Sequence, residues 1–336
     1  MASRANEIVL QRLAASADGA TSVDVVMCPA TKRRRVVKRT LTTHSRAAAQ
    51  SALKELDVLL ALQGKTRHVV QLLEYRLDGP HLLLSQELCE RGDLFDVLRS
   101  ESTGASPKDG LTTSEPALRR TFHQIVRAVS ELHRVGFAHM DLSLENVLVR
   151  RNGDVCLTDF GLAQRFQRDA HGDVIPQVLP FGGVAKPAYA APEQHADRSA
   201  FDVTQADAWA LGVLLWMLVT RTPLVQTATP EDAFFRRMQN RGAWWALEST
   251  RRLRHASWEL RDLLHRLLDP SPSSRLTVDA VLQHPWLRLR PTPSLIKTKD
   301  QAPCVTRLRS RSSGSRVEIS LEATRVPIAV SSSHAK

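Results

Sequence analysis

The hydrophobic pattern divides the chain into a strand-rich first part and a helix-rich second part. Short aliphatic runs at 8–10, 23–28 and 36–37 are separated by small or basic residues, and runs at 69–75 and 81–85 flank a turn at 78–80. Such runs predict strands. Apolar residues at helical spacing predict one helix over 46–62. Its expected apolar face consists of Ala49, Leu53, Leu56, Leu59 and Leu60.

The apolar spacing becomes helical after Gly92. A polar stretch over 100–115 predicts a loop, and a helix follows on Leu118, Phe122, Ile125, Val126, Val129 and Leu132. Runs at 147–149 and 155–157 around Asn152-Gly153 predict a hairpin. Residues 207–220 are apolar nearly all round, which predicts a buried helix. Further helices are expected at 231–240, 257–268 and 277–283.

Composition places the chain among globular proteins. It has 336 residues, of which 43% are hydrophobic and 24% charged, enough for one large domain or two. We expect no membrane span, because the longest apolar run, near 209–219, is too short, and the N-terminus does not resemble a signal peptide. Four widely spaced cysteines (Cys28, Cys89, Cys156 and Cys304) predict reduced thiols rather than a metal site. The expected compartment is the cytoplasm, with the nucleus as an alternative.

The net charge of +11 is unevenly distributed. Residues 291–336 hold eight basic and three acidic residues, and a second basic cluster is Lys32-Arg33-Arg34-Arg35. Both are interpreted as solvated, with nuclear import, an acidic membrane or nucleic acid as the alternatives. Neither cluster is interleaved with aromatic residues, which disfavours nucleic-acid binding. Periodicity fades from Pro291 onward, so residues 288–336 are predicted to form a basic, disordered tail rich in Ser and Pro.

Three segments carry the candidate chemistry. The segment 139–146 reads His-Met-Asp-Leu-Ser-Leu-Glu-Asn, Asp159-Phe160-Gly161 follows, and Ala191-Pro192-Glu193 comes later. Transfer of a phosphoryl group from Mg-ATP needs oxygen ligands for the metal, which Asn146 and Asp159 supply. It also needs a carboxylate near the acceptor hydroxyl, and Asp141 is placed for that.

An upstream lysine completes the set. Lys38 ends the run Arg35-Val36-Val37-Lys38, and Glu55, 17 residues later on the predicted helix, is its expected partner. In this order and spacing, the segments resemble a eukaryotic-type protein kinase of the Ser/Thr class over about residues 7–287. The resemblance implies an α+β, bilobal fold within a domain 1–287. The N-lobe, about 7–88, would be small and β-rich with one main helix, and the C-lobe, about 89–287, mostly helical.

The resemblance also assigns roles to residues. Lys38 and Asp141 would be catalytic, and Asn146 and Asp159 would bind Mg2+. The ATP site would contain Val23, Val36, Lys38, Glu55, Glu87, Cys89, Asp93 and Leu148, with Gln86 at the gatekeeper position. Glu193 would pair with Arg275, Asp207 would anchor the catalytic loop, and Leu59, Leu72, His139 and Phe160 would form a regulatory stack. The partners would be protein substrates, with basic residues near the acceptor suggested by Glu90, Asp93 and Glu145. The oligomeric state is left open.

The chain departs from the family pattern in the loop that covers phosphate. The three expected glycines fall on Ser16, Asp18 and Thr21, and only Gly19 lies nearby. Side chains hinder close approach of backbone to phosphate, and Asp18 adds a like charge. We therefore expect a raised KM for ATP.

Further departures concern basic residues. Met140 replaces the family's arginine that grips a phosphorylated activation loop, and residues 162–188 contain no Ser, Thr or Tyr. These losses agree and predict activity that is independent of activation-loop phosphorylation. Ser143 stands where the family carries a lysine that contacts the γ-phosphate, Lys186 stands at a usual threonine, and no compensation for the lost lysine is visible. Two functions remain: an active Ser/Thr kinase, or a pseudokinase that serves as a nucleotide-binding or scaffold module.

Overall fold

A computed structural model describes residues 7–102, 111–112, 114–179, 186–196 and 199–288. The predicted tail, apart from Arg288, and most of the predicted loop 100–115 lie outside the described residues. The resulting architecture is the expected α+β fold, with a sheet and one helix followed by a larger helical region.

The N-lobe is built on one antiparallel sheet. Its strands are β1 (Ile8–Ala15), β2 (Thr21–Met27), β3 (Arg34–Leu41), β4 (Leu72–Asp78) and β5 (His81–Gln86), in the order β1-β2-β3-β5-β4. Lys38 lies opposite Val23 on one side and Leu84 on the other, so these three side chains share one face. The predicted start of β4 at residue 69 is wrong. Val69 and Val70 pair instead with Leu157 of the C-lobe, which removes them from the sheet.

The helix α1 (Arg46–Leu62) has the predicted bounds and begins where the Ser45 hydroxyl accepts a hydrogen bond from the Ala48 amide. Its predicted apolar face is partly wrong, because Leu53 is 52% and Leu60 39% exposed. The buried face instead includes Glu55, which is 2% exposed. A charged side chain is buried only when it is paired, so the partner of Glu55 sets the rotation of the helix.

The C-lobe core is formed by helices packed around α3 and α4. The helices are α2 (Leu94–Ser102), α3 (Glu115–Arg134), α4 (Val203–Thr220), α5 (Ala233–Arg241), α6 (Ala243–Ser249), α7 (Trp258–Leu267), α8 (Val278–Gln283) and α9 (Pro285–Arg288). Among the described residues, α4 alone is long and apolar enough to cross a membrane, but 78% of it is buried inside the fold. The helices α6 and α9 were not predicted, because segments this short show no clear period.

Two small strand pairs bracket the candidate chemistry. β6 (Phe137–Ala138) pairs with β9 (Gln164–Arg165), and β7 (Val147–Val149) pairs with β8 (Val155–Leu157). The predicted hairpin is confirmed, and Gly153 has a φ of +84° in its turn. The segment 139–146, here called the catalytic loop, connects β6 to β7. Asp159 is the second residue after the end of β8.

The basic cluster at 32–35 is only partly solvated. Lys32, Arg33 and Arg34 are exposed, as expected. Arg35 contacts Glu7 at 2.5 Å and Glu74 at 3.2 Å, and its side chain is 19% exposed. The interpretation of the cluster as wholly solvated is therefore wrong for Arg35, because β3 places this residue beside two acidic side chains.

Candidate active site

A lysine from the sheet meets two acids from different elements. Lys38 Nζ lies 2.6 Å from Glu55 Oε2 and 3.0 Å from Asp159 Oδ1. Burial disfavours the charged form of Lys38, but the charges of Glu55 and Asp159 outweigh it and raise its pKa. Burial also acts against ionised Asp159, and the Lys38 charge again prevails, so the pKa of Asp159 is lowered. Lys38 and Asp159 are therefore both charged at neutral pH.

Gln86 supports this lysine–glutamate pair from β5. Its Nε2 donates to Glu55 Oε1 at 3.3 Å, and both side chains are buried. Each oxygen of Glu55 thus has its own partner, which a buried carboxylate requires. The sequence placed Gln86 in the nucleotide site but did not predict this bond, because the two residues are 31 positions apart.

Asp207 of α4 binds the backbone of the catalytic loop. Its carboxylate accepts hydrogen bonds from the His139 amide at 2.7 Å and the Met140 amide at 2.9 Å, and it also contacts His133 Nε2 at 2.8 Å. Asp207 is 1% exposed. Met140 has a φ of +66°, a left-handed conformation that costs energy for a side-chain-bearing residue. The two bonds to Asp207 stabilise this bend, as the resemblance implied.

Asp141 and Asn146 face one another across the catalytic loop. Asn146 Nδ2 donates to the Asp141 carbonyl at 2.7 Å and to Asp141 Oδ2 at 2.8 Å. Its Oδ1 accepts no hydrogen bond from any described residue, and neither does Asp159 Oδ2. An amide oxygen and a carboxylate oxygen suit Mg2+, so these residues fit the metal that Mg-ATP carries.

A second lysine contacts the catalytic loop from residues 162–188, here called the activation segment. Lys186 Nζ lies 2.7 Å from Ser143 Oγ and 3.3 Å from Asp141 Oδ2. A lysine ammonium therefore lies beside Ser143, although the catalytic loop itself contains no lysine or arginine. Lys186 is 43 residues away from Ser143 in sequence, so the spacing within the catalytic loop could not predict this contact.

The family of the chain follows from the arrangement of these groups and from comparison with known proteins. Residues 18–287 match the protein kinase domain family, and this stretch covers most of the 336 residues. The chain belongs to the protein kinase family. Members of this family use ATP and Mg2+ in general, in agreement with the expected cofactors.

The kinase is similar to curated serine/threonine kinases. It is 33% identical over 235 residues to CBL-interacting protein kinase 22 of Oryza sativa subsp. japonica, covering 70% of this chain and 48% of the relative. For serine/threonine-protein kinase CHK1 of Saccharomyces cerevisiae the identity is 30%, covering 70% and 43%. For SNF-related serine/threonine-protein kinase of Homo sapiens it is 31%, covering 71% and 28%. The matches thus span less than half the length of these relatives.

The remaining predicted nucleotide residues of the kinase come from both lobes. Val23, Val36 and Leu148 are half-buried, and Leu148 pairs with Asp93 in an isolated bridge. Asp93 Oδ1 also caps α2 by accepting from the Asp96 amide at 2.8 Å. Burial raises the pKa of Asp93, and nearby Asp96 and Glu145 act in the same direction.

The side chains of Glu87 and Cys89, both predicted in the ATP site, contact different partners within the protein. The Glu87 carboxylate accepts two bonds from the Arg150 guanidinium, at 2.6 and 2.8 Å, and one from the Gln71 amide. Cys89 is buried with its sulfur 3.6 Å from that of Cys156. Both side chains are thus occupied, so any contact of these residues with adenine would come from the backbone.

The β1–β2 turn of the kinase is a closed, exposed structure. Ser16 Oγ donates to Asp18 Oδ1 at 2.6 Å, and the Ala20 amide donates to the same oxygen at 3.0 Å. His44 lies 3.0 Å from Asp18 Oδ2. Ser16 and the Ala20 amide lower the pKa of Asp18, which is therefore ionised at neutral pH. Its carboxylate is bonded within its own turn, a feature that sequence inspection did not predict.

The contacts that the family resemblance implied around the site are present. Arg275 binds Glu193 through two bonds, at 2.6 and 3.0 Å, with no part of the arginine side chain exposed. Tyr189 is buried, and its hydroxyl accepts from the Leu144 amide at 3.4 Å, so it has a structural role. The rings of His139 and Phe160 lie 5.2 Å apart, in the same core as Leu59 and Leu72.

Next to this stack, Gly161 packs against α1. A β-carbon at Gly161 would overlap the Ser51 hydroxyl of α1, so any other residue here requires that hydroxyl to move.

Proposed function

We propose that this chain is an active protein kinase that transfers the γ-phosphate of ATP to Ser or Thr hydroxyls of protein substrates. The observation that carries the proposal is the convergence of Lys38, Glu55 and Asp159 at 2.6–3.0 Å, beside Asp141 and Asn146. Burying Glu55 at 2% exposure is unfavourable unless it holds Lys38 in place. A scaffold that binds no nucleotide has no physical need of this arrangement.

Each residue has a role in the transfer. Bound Mg-ATP supplies the reactive phosphoryl group with part of its negative charge neutralised. Lys38 would hold the phosphates, and Asn146 Oδ1 with Asp159 Oδ2 would hold the metal. Asp141 would orient the acceptor hydroxyl and take its proton as the bond to phosphorus forms. Most of the catalysis would come from positioning and charge.

The second candidate is a pseudokinase that binds nucleotide or serves as a scaffold without turnover. The β1–β2 turn supports it, because Ser16 and Asp18 stand in place of glycines and Asp18 is ionised. A turn of this kind weakens the cover over phosphate. We expect it to raise the KM for ATP rather than to abolish transfer, because it lies apart from Asp141 and Asn146.

Transfer of γ-phosphate from Mg-ATP to a basic peptide tests the proposal. Asp141→Asn and Lys38→Met are each expected to lower kcat at least about 100-fold. Asp57→Asn and Lys65→Met change charge equally at exposed positions and should retain activity. Absence of transfer by the wild type, together with a melting shift in Mg-ATP, would support the nucleotide-binding alternative. Absence of both would leave the scaffold.

We further propose that activity does not depend on phosphorylation of the activation loop. Met140 packs against the apolar cluster of Ala138, Phe166 and Val203, which includes one residue that follows β9. The loop is also tied by the Ile175 amide, which donates to the Gln167 carbonyl at 3.0 Å. Apolar packing would thus order the segment that other kinases order through phosphate and arginine.

Phosphatase treatment followed by an activity assay tests this independence. Activity should be unchanged, and mass spectrometry should find residues 162–188 unmodified, since they contain no hydroxyl side chain. Loss of activity on treatment would contradict the proposal.

A preference for basic substrates is proposed from three acidic residues, Glu90, Asp93 and Glu145. Asp93 and Glu145 lie near enough for Glu145 to raise the pKa of Asp93. Glu145 is exposed, whereas Glu90 is partly engaged by Arg151 at 3.6 Å. Basic residues N-terminal to the acceptor would fit this charge. A peptide series in which arginines are replaced singly by alanine should show a rise in KM; equal KM values would contradict the preference.

A further inference from the structure

The Lys186 ammonium is turned toward the catalytic loop rather than toward solvent. It contacts Ser143 Oγ at 2.7 Å and Asp141 Oδ2 at 3.3 Å, and the Lys186 side chain is only 30% exposed. Ser143 is fully buried. Fixing a lysine side chain costs conformational entropy, so specific contacts must hold it. Lys186 therefore places a positive charge beside the proposed proton acceptor.

Few positive charges are available at this position. Among the described residues, Lys38 and Lys186 are the two lysines or arginines that contact Asp141, Asn146 or Asp159. Lys38 is already bound to Glu55 and Asp159. Lys186 thus supplies the positive charge that lies beside Asp141, on the side of the acceptor.

Phosphoryl transfer creates a need for this charge. The transition state spreads negative charge over the three outer oxygens of the transferred group. An ammonium has three N–H donors, and Ser143 and Asp141 engage two of them, which leaves one for a phosphate oxygen. The short side chain of Ser143 leaves room for Lys186, whereas a lysine at 143 would bring two ammonium groups together.

We propose that Lys186 stabilises the γ-phosphoryl group during its transfer, so that the activation segment supplies a cation that the catalytic loop lacks. This inference rests on the proposed kinase activity. In the step, the bond between the γ-phosphorus and the bridging oxygen breaks and ADP keeps the electron pair. A bond forms from phosphorus to the acceptor oxygen, and the hydroxyl proton passes to Asp141. Lys186 keeps its protons and acts through charge.

Steady-state kinetics of Lys186→Met test this role. We expect kcat to fall about 100-fold, with the KM values for ATP and peptide within about threefold of wild type. Lys186→Gln should lose as much, because it keeps a hydrogen-bond donor for Ser143 but not the charge. Lys65→Met, which removes an exposed lysine, should match the wild type.

Moving the charge distinguishes catalysis from a structural role. The double variant Lys186→Met with Ser143→Lys should recover kcat at least tenfold over Lys186→Met alone. A structural role predicts instead that Lys186→Gln retains kcat, or that the peptide KM rises while kcat is unchanged. Either result, in a variant with wild-type melting temperature, would overturn the inference and leave the proposed function standing. A wild type without any transfer would overturn both.

Discussion

The catalytic loop and the β1–β2 turn, residues 16–20, are built in opposite ways. The catalytic loop is bound to Asp207, which is 1% exposed, through bonds that cross 67 and 68 residues of sequence. The β1–β2 turn is closed by bonds spanning two to five residues, and every residue of β1 is exposed. Long-range buried bonds thus position the catalytic loop, whereas local exposed bonds shape the turn that is proposed to cover the nucleotide.

The difference separates the chemical step from nucleotide affinity. Buried hydrogen bonds act in a low dielectric and fix geometry, while exposed bonds compete with water. Changes at Asp207, which binds the catalytic loop, should therefore lower both kcat and stability. Changes in the turn should alter the KM for ATP alone.

The largest effect is expected for Asp207→Asn. The amide retains one acceptor oxygen and turns its NH2 group toward a backbone N–H, leaving a buried donor unsatisfied. We expect a loss of about 3 kcal/mol in the free energy of unfolding and a fall in kcat of about 100-fold. Urea denaturation and peptide phosphorylation measure the two effects.

Asp202→Ala is the matched control on the same helix. Asp202 caps α4 by accepting from the Thr204 amide at 2.8 Å. Its loss should lower stability by about 1 kcal/mol and leave kcat unchanged. Equal effects of the two variants on kcat would show that the anchor does not position the catalytic loop.

A smaller effect is expected for Met140→Arg. The guanidinium would enter the apolar cluster around Phe166 and Val203, where the phosphate that it would bind in related kinases has no residue to carry it. We expect a loss of about 1–2 kcal/mol in stability. Thermal melting measures it, with Met140→Leu as the apolar control. An equally stable arginine variant would contradict the packing role of Met140.

In the β1–β2 turn, Asp18→Asn should lower the KM for ATP by about threefold, because it removes a charge that repels phosphate. The amide can still accept from Ser16 and Ala20, so the turn should persist. Asp18→Gly removes charge and bonds together and separates the two contributions. An unchanged KM in both variants would show that the turn does not influence nucleotide binding.

The smallest effect is expected in the pH dependence of this decrease in the KM for ATP. Ser16 and the Ala20 amide lower the pKa of Asp18, so its charge is present above the usual carboxylate range and is lost only as pH falls through a still lower value. The ratio of KM values between wild type and Asp18→Asn should therefore be constant from pH 6 to 8. A ratio that approaches one toward pH 6 would indicate a raised pKa instead.

Local patterns predicted much of the fold, and contacts distant in sequence account for the errors. The bounds of α1 and the hairpin at 147–157 follow from periodicity and turn residues, and both are confirmed. The buried face of α1 could not be predicted from apolar spacing, because the pairing of Glu55 with Lys38 outweighs the exposure of Leu53. The contact of Lys186 with Ser143 depends on how the activation segment folds back, which no local pattern records.

The close fit of Gly161 against Ser51 connects α1 with the segment 159–161. Glu55 lies one helical turn beyond Ser51 on α1, and Asp159 lies two residues before Gly161. A displacement of α1 would open space behind Gly161, and a turn of the 159–161 backbone would require α1 to shift. A small molecule that prefers one position of α1 thereby selects a position of Asp159, by differential affinity for the two states. Binding of an inhibitor in this space would therefore depend on the position of the Ser51 hydroxyl.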